Sequence, residues 1–236
     1  MNEFGRVLLI AILPGLGSLF GALFALWSRP PRWVAGVALH AAAGIAIGVV
    51  SLELMPRALT DGRIGYLAAA FIGGAAASII LSQFVGRPRS MSSGAAMVVA
   101  AAAIDSSVDG IMTGAGSSIA ASLGLLLAGS QVVGNFPNGF ATMANLDERT
   151  GRGRRALLLL AAPLVPVIGA AIGYLALRQT GTAVKAGVLA FMAGLLLLAT
   201  VEDTVAQGDA PSPPRRYSSL AFAVGFAAMM LASAWA

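Results

Sequence analysis

Residues 95–116 read AAMVVAAAAIDSSVDGIMTGAG. Apart from Asp105 and Asp109 the run is uncharged, and it is long enough to cross a bilayer as a helix, which takes about 20 residues. An Asp at mid-bilayer costs roughly 2.5–3.5 kcal/mol on the insertion scale. The alanines around this pair offset little of that cost. The i, i+4 spacing puts both carboxylates on one helix face. Two negative charges so placed repel each other unless a cation lies between them or one is protonated. The sequence thus places a cation-attracting pair inside an apolar helix.

The rest of the chain is of the same kind. It has 236 residues, 58% hydrophobic and 11% charged, with a mean hydropathy of +0.84. A soluble domain carries about 25% charged residues, and a soluble fold of this size cannot hide so much apolar surface. A soluble globular enzyme is therefore excluded, and a polytopic membrane protein is expected. There is no cysteine, which removes disulfides, Cys-based metal sites, iron–sulfur clusters and thiol nucleophiles. A single histidine, His40, removes His₂ and His₃ metal sites and leaves little for a Ser–His–Asp triad. Aromatics make up 7%, too few for stacking on nucleic acid, so no nucleic-acid partner is expected. The net charge of +5 fits a membrane protein with cytoplasmic arginines. No GxxxxGK[ST] motif is present, so the chain itself supplies no ATP drive.

Apolar runs at 6–27, 34–55, 64–85, 94–114, 118–145, 154–177, 184–205 and 217–236 predict eight transmembrane helices in one domain over 1–236. The fifth run is long, and Pro137 predicts a tilt or kink there. Pro- and Arg-rich breaks separate the runs, among them residues 28–32, 86–90, 147–155 and 210–216. The N-terminal MNEFGRVLLI lacks the pattern of a signal peptide and reads as the start of the first helix. Ten of the 15 basic residues fall on one side: Arg29, Arg32, Arg87, Arg89, Arg149, Arg152, Arg154, Arg155, Arg215 and Arg216. Arg6, Arg57, Arg63, Arg178 and Lys185 fall on the other. The positive-inside rule puts the first side in the cytoplasm and both termini outside, in an inner or plasma membrane. The basic loop 149–155 also suits anionic lipid.

Other polar groups interrupt the helices. Asn135 and Asn138 share a face of the fifth run, around Pro137, whose ring frees a backbone carbonyl. Amide and carbonyl oxygens are hard ligands that match the carboxylates of the run before. Ser106 is a further oxygen donor beside Asp105. Glu53, Glu202 and Asp203 lie near the ends of the second and seventh runs; they suit either a cation pathway or an interface, with Glu53 paired to Arg57 at i+4. His40 reads as a snorkelling or capping residue.

At these residues the chain resembles the ZIP family of divalent metal transporters. Asp105-Ser106-Ser107-Val108-Asp109-Gly110 is similar to the family's HNxPEG, and Gly134-Asn135-Phe136-Pro137-Asn138-Gly139 to [HQ][ND]xPEG. Glu53-Leu54-Met55-Pro56-Arg57-Ala58 resembles HLLPEA, and Glu202-Asp203-Thr204-Val205-Ala206-Gln207 resembles HEIIPE. The stretch from Val165 to Tyr174 keeps the frame of EPLGALLGY but has Val165 where the acid stands. The resemblance implies an all-α membrane fold of eight helices in a three-plus-two-plus-three arrangement. In it, helices 1–3 and 6–8 are related by inverted pseudosymmetry around helices 4 and 5. It also implies one metal site from Asp105, Asp109 and Asn138, with Gly134 giving no side chain at the fourth position. A second site would need Ser106, Asn135 and an acid in place of Val165, so one metal rather than two is expected. Homodimers are common in the family.

Every available ligand is oxygen. Such sets suit Mn²⁺, Mg²⁺ and Ca²⁺, with Fe²⁺ between, while zinc is the family default and exceeds manganese in intrinsic affinity. The expected activity is carriage of a divalent cation, as substrate, towards the cytoplasm, by a passive or elevator-like route. Asp105 and Asp109 bind it, Asn135, Asn138 and Ser106 complete the shell, and Glu53, Glu202 and Asp203 line the approaches. Two rivals are a non-transporting binding or regulatory protein of the same fold and a proton-coupled carrier of another substrate. An intramembrane acid protease is disfavoured, since such enzymes carry their two acids on different helices.

Overall fold

The computed structural model describes residues 2–27, 31–60, 63–85, 95–144, 161, 163–210 and 212–235. Their regular structure is helical throughout, in eight rods: α1 (Glu3–Trp27), α2 (Trp33–Leu59), α3 (Ile64–Val85), α4 (Ala95–Ile119), α5 (Ala121–Ala144), α6 (Val165–Leu177), α7 (Thr182–Asp209) and α8 (Arg215–Ala234). Five of them (α1, α2, α3, α7 and α8) are long and apolar enough to cross a membrane. The chain is thus an all-helical integral membrane protein. α4 and α5 have comparable length, 25 and 24 residues.

The helices form two compact units. The first takes in Met1–Arg29 and Ser82–Arg178, hence α1, α4, α5 and α6. The second takes in Pro30–Leu81 and Gln179–Ala236, hence α2, most of α3, α7 and α8.

Glycine sets the packing inside each unit. In the first, a Cβ on Gly17, Gly21 or Gly139 would overlap the backbone of Val132, Phe136 or Ser18, so α1 and α5 meet main chain to main chain. The same holds between α4 and α6, where Gly110 meets Pro166, Gly114 meets Ala170, Gly169 meets Ser107 and Gly173 meets Ile111. In the second unit, Gly44 and Gly225 bring α2 against α8, and Gly74 and Gly194 bring α3 against α7. Lipid tails are as apolar as leucine, so helices in a bilayer associate through close van der Waals contact, and small residues permit it.

Prolines and hydroxyls shape the individual rods. α1 has a turn at Ala11, just ahead of Pro14, which offers no N–H to Ile10. Asn2 caps α1, its Oδ1 accepting the Gly5 N–H at 2.9 Å. α5 continues through Pro137, with Phe24 of α1 against Phe136 and Phe140. α2 and α7 each widen into one π-helical segment, Val50–Leu54 and Thr200–Val205. In α2 the segment precedes Pro56, and Ser51 Oγ donates to the Ile47 carbonyl at 2.6 Å. In α7, Thr200 Oγ1 donates to the Leu196 carbonyl at 2.7 Å. Such back-bonding competes with the regular ladder and bends helices.

Two sequence expectations change. The fourth rod runs on to Ile119, so the fifth has 24 residues and begins at Ala121. Ser117 and Ser118 donate to the Thr113 and Ala115 carbonyls inside that last turn, so these polar residues extend the helix instead of ending it. Glu53, Glu202 and Asp203 lie within their helices, because α2 and α7 continue past the π segments to Leu59 and Asp209. For the sixth run, the described helix covers Val165–Leu177. Residues 145–160 and 162 of the expected loop and run, and the arginine-bearing stretches 28–30 and 86–94, lie outside the described residues.

Candidate metal site

The first unit gathers the polar residues of α4 and α5. Asp105 is exposed and Asp109, one turn later, is half-buried. Asn135 on α5 is buried, and its Nδ2 donates to Asp109 Oδ2 at 2.7 Å and to the Pro14 carbonyl of α1 at 3.3 Å. These two bonds use both amide hydrogens of Asn135. They fix one Asp109 oxygen and leave the amide Oδ1 as the atom through which Asn135 can meet a cation. The fold therefore brings Asp109 and Asn135 together from different helices and ties them to the middle of α1.

One turn further along both helices the pattern repeats. Thr113 is fully buried at 0% exposure, and its hydroxyl donates to Gln131 Oε1 at 2.8 Å. Gln131 Nε2 in turn donates to the Asp109 carbonyl at 3.2 Å. Thr113 and Gln131 are not among the sequence candidates, although their spacing was visible. Asp109 and Thr113 are i, i+4 on α4, and Gln131 and Asn135 are i, i+4 on α5, so two polar ladders face each other. Buried networks of this kind hold their members rigidly because an unpaired group there is costly.

The other candidates divide. Ser106 is buried and sits one residue, about 100° of helix, from Asp105. The side chain of Asn138 lies outside the described residues. A Cβ on Gly134 would meet nothing within 4 Å, so there is open space at this position. Val165 opens α6, and Pro166 beside it lies against Gly110 of α4. Among the described residues no three His, Asp or Glu side chains converge, so Asp105 and Asp109 need amide, hydroxyl, carbonyl or water oxygens to complete a cation's shell.

Glu53, Glu202 and Asp203 belong to the second unit. Glu53 is 3% exposed, and Arg57 donates to its Oε2 through Nη2 at 2.8 Å and Nε at 3.1 Å. Its Oε1 accepts the Ser233 hydroxyl of α8. The i, i+4 partnership with Arg57 is therefore formed. Glu202 and Asp203 are half-buried in the π segment of α7. His40 neither snorkels nor caps: it is buried in α2, between the Gly36 carbonyl and Asp209 of α7.

Neither a known family model nor a curated protein sequence matches this chain.

Proposed function

We propose that this protein carries a divalent metal cation across the membrane, with Asp105 and Asp109 as the charged ligands of a site on α4 and α5. The observation that carries this reading is the Asp109–Asn135 pair. A carboxylate is fixed at 2.7 Å by a buried amide of the neighbouring helix, with a second carboxylate one turn away on the same face. Holding two acids in an apolar segment is costly, and a cation between them offsets the cost. The donor set is entirely oxygen, from Asp105, Asp109, Asn135, Asn138 and Ser106, which favours hard and borderline cations over a thiolate-type selection. Zinc remains the default cargo by resemblance, with Mn²⁺ and Fe²⁺ next.

The resemblance to ZIP transporters draws further support from the packing. Inverted pseudosymmetry between helices 1–3 and 6–8 exchanges α1 with α6, α4 with α5, α2 with α7 and α3 with α8. It therefore converts the α1–α5 contact into α6–α4, and α2–α8 into α7–α3. These are four of the glycine-lined contacts within the two units. The π segments of α2 and α7 correspond under the same exchange. A compact unit that holds the acid pair is what elevator-like carriage requires, with movement towards the cytoplasm and both termini outside.

The test is uptake of Zn²⁺, Cd²⁺, Mn²⁺, Fe²⁺, Co²⁺ and Mg²⁺ into proteoliposomes, side by side, with Asp105→Ala/Asp109→Ala as the control. The expected result is uptake of at least one cation by the native chain and background uptake in the control. Equal uptake in both overturns the site. No uptake of any cation by folded protein moves the reading to a binding or regulatory subunit, or to a carrier of another substrate.

A further inference from the structure

The second unit contains a cleft of about 670 Å³ where α2, the end of α7 and the start of α8 meet. His40, Asp209, Ser212, Ser218 and Ser219 line it, and Arg215 stands on it as well. His40 is buried while the Asp209 side chain is 68% exposed, so the pair runs from the helix packing out into the cleft. His40 Nδ1 lies 2.8 Å from the Gly36 carbonyl. A carbonyl can only accept, so Nδ1 carries the hydrogen. Nε2 then points at Asp209 Oδ1, 3.2 Å away. Without a cation between them, a bare ring nitrogen and a carboxylate oxygen would set two lone pairs face to face.

Two cations answer that geometry, a proton and a metal ion, and two observations, the Gly36 contact and the Ser218 hydroxyl, favour the metal. The 3.2 Å spacing admits either, since it fits an N–H···O bond and lies near the roughly 3.4 Å between two ligands held at about 2.1 Å by a tetrahedral ion. First, metal-binding histidines commonly donate their other ring N–H to a backbone carbonyl, which fixes the tautomer and aims the lone pair; the Gly36 contact is of this type. Second, Ser218 is 6% exposed, and its hydroxyl has no hydrogen-bond partner among the described residues. A buried hydroxyl left unpaired is costly, and a ligand in the cleft would satisfy it.

We infer that His40 Nε2 and Asp209 Oδ1 form a second divalent-cation site, with the Ser218 hydroxyl and water completing the shell. The site lies wholly within the second unit and does not depend on the acid pair of α4. It supplies the one nitrogen ligand that this chain possesses, so it favours borderline ions such as Zn²⁺ and Co²⁺ over Mg²⁺. The Arg215 charge in the same cleft weakens the binding, as suits a station that releases its ion again.

The test uses purified full-length protein with Asp105→Ala/Asp109→Ala in the background, so that binding at α4 cannot contribute. Co²⁺ is titrated and followed by its visible ligand-field absorption. The expected result is one saturable Co²⁺ with a nitrogen–oxygen spectrum. His40→Gln and Asp209→Asn should each weaken binding at least tenfold, and Ser218→Ala severalfold. Asp209 is exposed, so Asp209→Asn carries the test even where His40→Gln disturbs the packing, and thermal melting identifies that case. No saturable Co²⁺, or binding unchanged by Asp209→Asn, overturns the site and leaves an ordinary imidazolium–carboxylate pair. Loss of this site with cation uptake intact separates its failure from that of the α4 site.

Discussion

Asp109→Asn lowers cation uptake about a hundredfold while the protein stays folded. The substitution keeps the shape of the side chain and an oxygen that can accept from Asn135, so the 2.7 Å contact survives. What it removes is charge. Two unit charges 4 Å apart interact by about 4 kcal/mol at an effective dielectric of 20. A divalent ion doubles that, and relaxation and water return much of it. A net loss of about 2.8 kcal/mol is a factor of a hundred. Asp105→Asn should cost less, about tenfold, because Asp105 is exposed and better screened. Thermal stability without metal should hold or rise in both variants, since each removes one of two repelling charges. The measurement is initial uptake in proteoliposomes, paired with thermal melts of the same preparations. Undiminished uptake by Asp109→Asn would mean that the carboxylate does not meet the ion.

Gly114→Leu should leave almost no folded protein. A side chain at this position runs into the backbone of Ala170, and Gly110, Gly169 and Gly173 hold the same two helices equally close. Overpacking by flexible side chains costs typically about 1–3 kcal/mol. Here main chain opposes main chain, and the helices must separate along the whole crossing, so the loss exceeds that range. Separation would also pull α4, with Asp109, away from its setting. Gly129→Leu is the matched control: the space around Gly129 is open, and a leucine there also removes a helix-weakening glycine. Size-exclusion profiles and melting temperatures in detergent read the difference. A monodisperse Gly114→Leu protein that melts with the native chain would contradict the close-contact account of the α4–α6 pair.

Much of the fold was legible because length and hydropathy act over twenty residues at a time. The third run, 64–85, coincides with α3, since Arg63 and the break before it leave no ambiguity. Boundaries failed where a local hydrogen bond decides them. The residues from Ala115 to Ser117 look like a break between two runs, yet Ser117 and Ser118 bond back into α4, and Pro56 looks like a stop yet sits after a widened turn that accommodates it. The acid pair stood out in the sequence because charge inside an apolar run is rare and costly. The partners of Asp109 were half legible: Asn135 stood out beside Pro137, while Gln131 and Thr113 needed both helices in register to be seen as one network. His40 was misread because a lone histidine carries no periodicity, and its partner Asp209 lies at the far end of another helix.

Anomalous diffraction from crystals soaked in Mn²⁺ or Cd²⁺ locates the ion itself. The expected result is a peak on α4 within coordination distance, about 2.0–2.6 Å, of an Asp109 oxygen, reached also by Asp105 and an amide or water oxygen. The peak should vanish in Asp105→Ala/Asp109→Ala crystals, whatever happens at His40 and Asp209. Density for the ion elsewhere, with none at Asp109 under saturating metal, would contradict the α4 site and with it the proposed carriage.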